Sequence, residues 1–169
     1  MGIRANGYLY RVDANHTVAR VAGPFICTNG PAFSPDQRTL YCVDTYGRKI
    51  LAFDVDPAGA LSRGRVLIRF EDQTWGYPDG LTCDSIGCLW VAHWGGSRIS
   101  RFSANGELLE AIPLPVSQAT SCVFGGHELK TLFVTSASLG LPPGKEEAAG
   151  ALLAIDVDVA GSPTERYAG

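Results

Sequence analysis

Apolar residues recur along this chain in short runs, each closed by residues that favour turns, with few long apolar periods between them. The clearest stretch, residues 77–96, reads YPDGLTCDSIGCLWVAHWGG. It predicts a strand over 80–84, a turn over 85–87 and an apolar strand over 88–93, after which a glycine pair breaks the run. Two β-rich strands joined by turn residues read as a hairpin. The same order of positions recurs. NGPAFSPDQRTLYCVD begins at Asn29, DGLTCDSIGCLWVAH at Asp79 and SCVFGGHELKTLFVTS at Ser121. A hairpin repeated at intervals of roughly 40–50 residues predicts an all-β fold, a β-propeller with one four-stranded blade per repeat.

Extending the alternation places blades at about 29–70, 79–112 and 120–168, behind an outer hairpin over 8–21. The first blade takes strands at 30–34, 40–44, 50–54 and 65–70, and the second at 81–84, 89–93, 98–103 and 108–112. The third takes 122–125, 132–136 and 151–156, with a last strand near 165–168. Residues 139–149 (LGLPPGKEEAA) form the one stretch with the composition for a helical turn or a mobile loop. No linker divides the chain, which reads as a single partial propeller domain. Propeller blades bury their apolar faces against one another. Three blades and two extra strands leave two such faces open, so the pattern predicts either a segment of a longer protein, with an N-terminal half missing, or self-association.

Composition narrows the function classes. The 169 residues are 46% hydrophobic with a net charge of −3 and no basic run, which argues against a nucleic-acid partner. No window is long and apolar enough for a membrane-spanning helix, and the N-terminus reads as no signal segment. The five cysteines are odd in number, without CxxC spacing, and lie mostly in strand runs. That pattern predicts buried free thiols and a cytoplasmic address.

The candidate chemistry sits at the start of the inner strands. Asn29, Asp79 and Ser121 are read as one register, each a step before an inner strand. Inner strands ring the central axis, so equivalent positions converge on one channel mouth. An amide carbonyl and a carboxylate converging there offer hard oxygen ligands, which suit Ca²⁺, Mg²⁺ or Mn²⁺. Taken alone, either residue before glycine reads first as turn chemistry, and it is the shared register that argues for a metal. Thr120 and Ser121 stand at the third position, where they would meet a bound water or the substrate. Trp94, before a glycine pair, is a candidate substrate contact, whereas Trp90 is in strand phase and reads as core. His93 occupies the place of Asp44 in the preceding blade and reads as a packed or hydrogen-bonded histidine, with His16 and His127 in solvated turns. Neither a nucleophile elbow, a phosphate loop nor a Cys–His pair is present in the sequence.

The segments TNGPAFSPDQRTLYCVDT, RKILAFDVDPAGALS, PDGLTCDSIGCLWVAHWGG and TSCVFGGHELKTLFVTSA together resemble the senescence-marker-protein/gluconolactonase family, which includes regucalcin. The likeness runs from about residue 8 to 169 and corresponds to the C-terminal half of the family pattern. It implies a six-bladed propeller with one divalent cation (Ca, Mg, Mn or Zn) at the channel mouth and a sugar lactone as the small-molecule substrate. It further implies that Asn29 and Asp79 are metal ligands, with Asp79 also orienting or deprotonating the attacking water. The family's glutamate ligand and its substrate-binding arginine and asparagine belong to the other half. The expectations are therefore a metal-dependent lactonase or, alternatively, a non-catalytic propeller fragment that serves as an interaction module.

Overall fold

The computed structural model describes residues 4–163. Among them thirteen strands form four antiparallel sheets. Strands β1 (Gly7–Val12) and β2 (Val18–Phe25) pair as a hairpin. The first full blade is β3 (Thr28–Phe33), β4 (Thr39–Asp44), β5 (Lys49–Asp54) and β6 (Arg65–Arg69). The second is β7 (Tyr77–Cys83), β8 (Leu89–Trp94), β9 (Arg98–Phe102) and β10 (Leu108–Pro113). In the third, β11 (Ala119–Gly125), β12 (Thr131–Ser136) and β13 (Leu152–Asp156) are seen. Strands lie side by side in chain order within every sheet, which makes the chain a partial β-propeller. The fourth strand expected near 165–168 falls outside the described residues.

Of a helical turn or a loop, the two forms expected for residues 139–149, the structure shows a loop. Residues 139–149 hold no helix. They form successive turns in which the Lys145 amide donates to Pro142 O (3.1 Å) and the Ala149 amide to Glu146 O (3.2 Å). Gly140 and Gly144 take positive φ there (73° and 75°), a conformation that ends helical runs. Among the described residues a single 3₁₀ turn occurs, at Gln73–Trp75, capped by the Asp72 carboxylate, which accepts from the Thr74 amide at 2.8 Å.

Period-two alternation decides what each strand buries. From β4, Leu40 and Cys42 join Phe25 and Phe53 against the hairpin. Their alternates Tyr41 and Val43 face the second blade and meet Leu81, Leu89 and Val91. From β8, Trp90 and Ala92 face the third blade and pack with Cys122, Phe124, Leu132 and Val134. A strand sandwiched between sheets on both sides has no solvent face. That is why LYCVD and LWVAH read as nearly unbroken apolar runs.

Two buried acids pin the ends of these strands. Asp84, fully buried, accepts from the Cys88 amide (2.8 Å), the Trp90 indole (3.1 Å) and the Arg101 guanidinium (3.0 and 2.8 Å). Asp44 accepts from the Ile26 and Cys27 amides at 3.0 and 3.1 Å, with Lys49 3.5 Å away, and so ties β2 to the first blade.

All five cysteines are free thiols, four of them buried and Cys27 half-buried. Burial pushes Cys42 up to about 11 and Cys83 and Cys122 to about 12, which leaves almost no thiolate at neutral pH. The folded protein is therefore expected to react slowly with a thiol reagent and rapidly once denatured, with no bridge by non-reducing mass measurement. Fast labelling of four or five thiols in the native state would contradict this packing.

Candidate functional site at the inner-strand termini

The inner strands β3 and β7 lie against each other, and each carries a ladder irregularity near its start, between Asn29 and Ala32 and between Pro78 and Leu81. Gly80 is required where it stands. A Cβ there would overlap Ser121 of β11, so only glycine lets the next inner strand approach the residue after Asp79. The D-G pair thus serves close packing, whereas Gly30 of the N-G pair has only ordinary contacts around it and takes a positive φ of 82°.

Asn29, Asp79 and Trp94 line one cavity of about 280 Å³. Thr45, Tyr46 and Tyr77 form its wall, and Leu139, from the long turn segment after β12, reaches its rim. Tyr46 and Tyr77 meet edge-on at 5.7 Å, and the Arg48 guanidinium lies 5.0 Å from the centre of the Tyr77 ring. Two bonds hold the turn segment beside Trp94: Gln118 Nε2 donates to Leu139 O (3.0 Å), and the Ser117 amide donates to Glu146 Oε2 (2.7 Å). The sequence reading did not find Tyr46, Tyr77 or Leu139. Tyr77 was the most legible of the three, standing two residues before Asp79 at the head of the PDG motif.

Ser121 does not belong with Asn29 and Asp79. The rungs Thr28–Asp44, Pro78–His93 and Ala119–Ser136 are equivalent, so the residues that follow them are Asn29, Asp79 and Thr120. Ser121 stands one place later, at the level of Gly30 and Gly80, and lines no part of the cavity. Thr120 spends its hydroxyl on that of Thr135 at 2.6 Å. The irregularity adds one residue to each of the three inner strands alike, so they stay in step, and Thr120, four residues before Phe124, matches Asn29 before Phe33 and Asp79 before Cys83.

Electrostatically the two remaining residues form an open acceptor set. Asn29 donates from Nδ2 to Thr45 Oγ1 (2.8 Å), and its amide oxygen has no partner among the described residues. Burial raises the Asp79 carboxyl to about 6, and among the described residues neither of its oxygens has a hydrogen-bond or ion-pair partner. A desolvated carboxylate with no partner, beside a free amide oxygen, matches the donor chemistry of a hard divalent cation. Such a cation takes at least six oxygens, of which these are two. Among the described residues no three His, Cys, Asp or Glu side chains cluster as a metal site. The pair fits a cation as part of its shell.

His93 lies elsewhere, fully buried, with Nδ1 2.8 Å from Trp75 O. A carbonyl partner fixes the proton on Nδ1 and leaves Nε2 buried without a partner. Phe70 and Trp75 surround the ring, and burial, the largest cause, lowers its pKa from 6.5 to about 4. Above pH 6.5 both folded and unfolded histidine are neutral. As pH falls from 6.5 to about 4 only the unfolded chain takes up the proton, so up to about 3 kcal/mol of stability is lost across that window. Urea unfolding of wild type and His93→Phe at several pH values checks this. An identical pH slope for both between 6.5 and 4 would remove His93 from the account.

Comparison with known proteins bears on the same residues. Residues 2–138 match the family model for the SMP-30/Gluconolactonase/LRE-like region. The chain belongs to that family. It is similar to a 6-deoxy-6-sulfogluconolactonase of Pseudomonas putida (39% identical over 79% of this chain and 46% of that protein). It is also similar to regucalcin of Sus scrofa (34%, 98% and 57%) and to a pentonolactonase of Haloferax volcanii (35%, 96% and 58%). The solved calcium-binding protein regucalcin of Agrobacterium tumefaciens superposes with a TM-score of 0.86 at 28% identity, over 95% of this chain and 56% of that one. The chain spans about half the length of the curated relatives it matches. No helix among the described residues is long and apolar enough to cross a membrane.

Proposed function

We propose that the chain carries the Asn29–Asp79 part of the site of a divalent-metal-dependent sugar lactone hydrolase working in the cytoplasm. The observation that supports this most is the Asp79 carboxyl, raised to about 6 by burial and left without a partner in the cavity shared with Asn29 and Trp94. Membership of a family whose named relatives include lactonases supports the same reading.

Asn29 and Asp79 would hold the cation through the amide oxygen and the carboxylate. Bound there, a divalent cation supplies Lewis acidity toward a lactone carbonyl. The chain's own groups do the rest. The Asp79 carboxylate accepts a proton from the attacking water. Asn29 contributes an oxygen without a charge, so the pair supplies one negative charge and preserves the cation's pull on substrate. Trp94, Tyr46 and Tyr77 offer aromatic faces to the C–H surface of a sugar ring. Ser121, which sits behind Gly80, has no contact role in this scheme.

The test is hydrolysis of D-glucono-δ-lactone by the purified chain with Ca²⁺, Mg²⁺, Mn²⁺ or Zn²⁺, before and after EDTA. Turnover that EDTA removes and added cation restores supports the reading. Turnover indifferent to EDTA overturns the metal role. The second reading, a non-catalytic interaction module, draws on the two-oxygen donor set and on the exposed end faces, and it predicts a stable complex with neither hydrolysis nor cation binding.

A further inference from the structure

The turn between β4 and β5 touches both sides of the Asn29–Asp79 pair. Its base is fixed, because a Cβ at Gly47 would overlap the buried Asp44 carboxylate, which itself accepts from the Ile26 and Cys27 amides. Thr45, at the start of the turn, accepts from Asn29 Nδ2 at 2.8 Å. Tyr46 meets the Tyr77 ring edge-on at 5.7 Å. Arg48, at the end of the turn, reaches into the segment that leads to Asp79. Residues 70–76 join β6 to β7 outside any strand. Arg48 donates from Nε to Phe70 O and from Nη2 to Asp72 O, both at 2.8 Å, and the Phe70 amide donates back to Arg48 O at 2.9 Å. The guanidinium also lies 5.0 Å from the centre of the Tyr77 ring. His93 holds the same segment at Trp75 O, but from the second blade, so it ties Asp79 only to its own sheet. Arg48 instead links that segment back to the turn that holds Asn29.

We propose that this turn is a bracket that sets Asp79 against Asn29, and that Arg48 is its positioning residue. Asn29 and Asp79 stand on different sheets, so no ladder bond spans the gap between them. Tyr77 and Asp79 lie two apart on β7 and line the same cavity. A grip on the Tyr77 ring and on the chain before it therefore holds the Asp79 carboxylate as well. A planar guanidinium suits the task, since it can donate to two carbonyls and lie against an aromatic ring at once. The consequence for cation binding rests on the reading of Asn29 and Asp79 as ligands; the bracket itself does not.

Two measurements on the 169-residue chain test it: fluorine NMR with fluorotyrosine at its six tyrosines, and terbium(III) luminescence sensitised by the cavity aromatics. Arg48 takes a positive φ of 49°, which asparagine tolerates well, so Arg48→Asn removes the guanidinium and keeps the turn. Arg48→Lys keeps the charge but cannot bridge the two carbonyls. In both variants the Tyr46 and Tyr77 signals, assigned with Tyr46→Phe and Tyr77→Phe, are expected to move toward their positions in the unfolded chain. Terbium is expected to bind about tenfold more weakly, as when a group behind a metal ligand is removed. Leu132→Val, a buried change in the third blade, should lower the urea midpoint and leave both readouts as in wild type. Unmoved Tyr46 and Tyr77 signals overturn the proposal. So do signals that move equally in Leu132→Val, because any loss of stability would then suffice. Wild-type terbium affinity in Arg48 variants whose fluorine signals have moved overturns the positioning role. Failure of the wild type to bind terbium, or equal binding by Asp79→Asn, counts against the cation reading instead, and the fluorine signals then decide the bracket. If Arg48→Asn fails to fold by circular dichroism, Arg48→Lys decides by the same signals.

Discussion

Asp84→Ala is expected to cost about 3–5 kcal/mol, a large part of the 5–15 kcal/mol that holds a typical domain together. The carboxylate is fully buried and serves as the common acceptor for two backbone amides, the Trp90 indole and two nitrogens of Arg101. Arg101 is itself mostly buried, at 18% side-chain exposure. Truncation therefore leaves a buried cation and several donors with no acceptor, and each such group carries its desolvation cost in full. The loss falls where blades meet, because Trp90 packs on Phe124 of the third blade and the Ser85 amide donates to Ala160 O at 2.8 Å. Asp54 provides the contrast. Its 2.6 Å pair with Arg65 is 68% and 53% exposed, and Asp54→Ala should cost less than about 1 kcal/mol. Urea titrations of the two variants beside wild type measure both figures. Equal midpoints for Asp84→Ala and Asp54→Ala would show that the buried network contributes no more than a surface pair.

The Asp84 network also marks where legibility in the sequence stops. Repetition of the hairpin grammar is enough to give the propeller, because strand alternation and turn residues are local properties and each blade states them again. Strand limits read from it agree within a residue or two for most of the chain, as for 98–103 against Arg98–Phe102. Register is different. Ser121 opens an apolar run as Asn29 and Asp79 do, but the rungs Phe33–Leu40, Cys83–Leu89 and Phe124–Leu132 are what set the level, and they place Thr120 rather than Ser121 beside Asn29 and Asp79. Residues 139–149, read as a helical turn or a mobile loop, form a loop of turns, while the 3₁₀ turn at Gln73–Trp75 was not foreseen, its signal being only an aspartate two residues ahead of a threonine. Asn29 and Asp79 were legible because equivalent positions must converge on the propeller axis. Leu139 was not, since its place at the rim depends on how a segment without periodicity folds back on Gln118. The roles of Asp44 and Asp84 were hidden too, for an acid beside a turn reads as turn chemistry until its partners are seen.

Asp79→Asn is expected to divide function from stability. Under the proposed function, any form of the protein that turns over a lactone should lose both cation binding and activity, by more than the 10–100-fold typical of removing a group behind a metal ligand, because the proposed ligand itself changes. The fold should gain. The Asp79 carboxyl sits at about 6 against an ordinary value of 3.8, through burial, so it is the ionised form that the fold disfavours. Below about pH 3.8 the group is protonated in both states and costs nothing; the cost grows as pH rises toward 6 and is complete above it. Asparagine keeps the shape and never ionises. Without added cation, the variant should therefore show a higher urea midpoint than wild type near neutral pH and no advantage below about pH 4. Saturating cation should reverse the order, since binding stabilises only the protein that keeps the carboxylate. The same ionisation predicts that cation affinity in the wild type falls about tenfold per pH unit once the pH drops below 6. Calorimetric titration across that range reads the slope directly. A pH-independent affinity, or an Asn variant that binds the cation and turns over substrate as the wild type does, would remove Asp79 from the centre of the site.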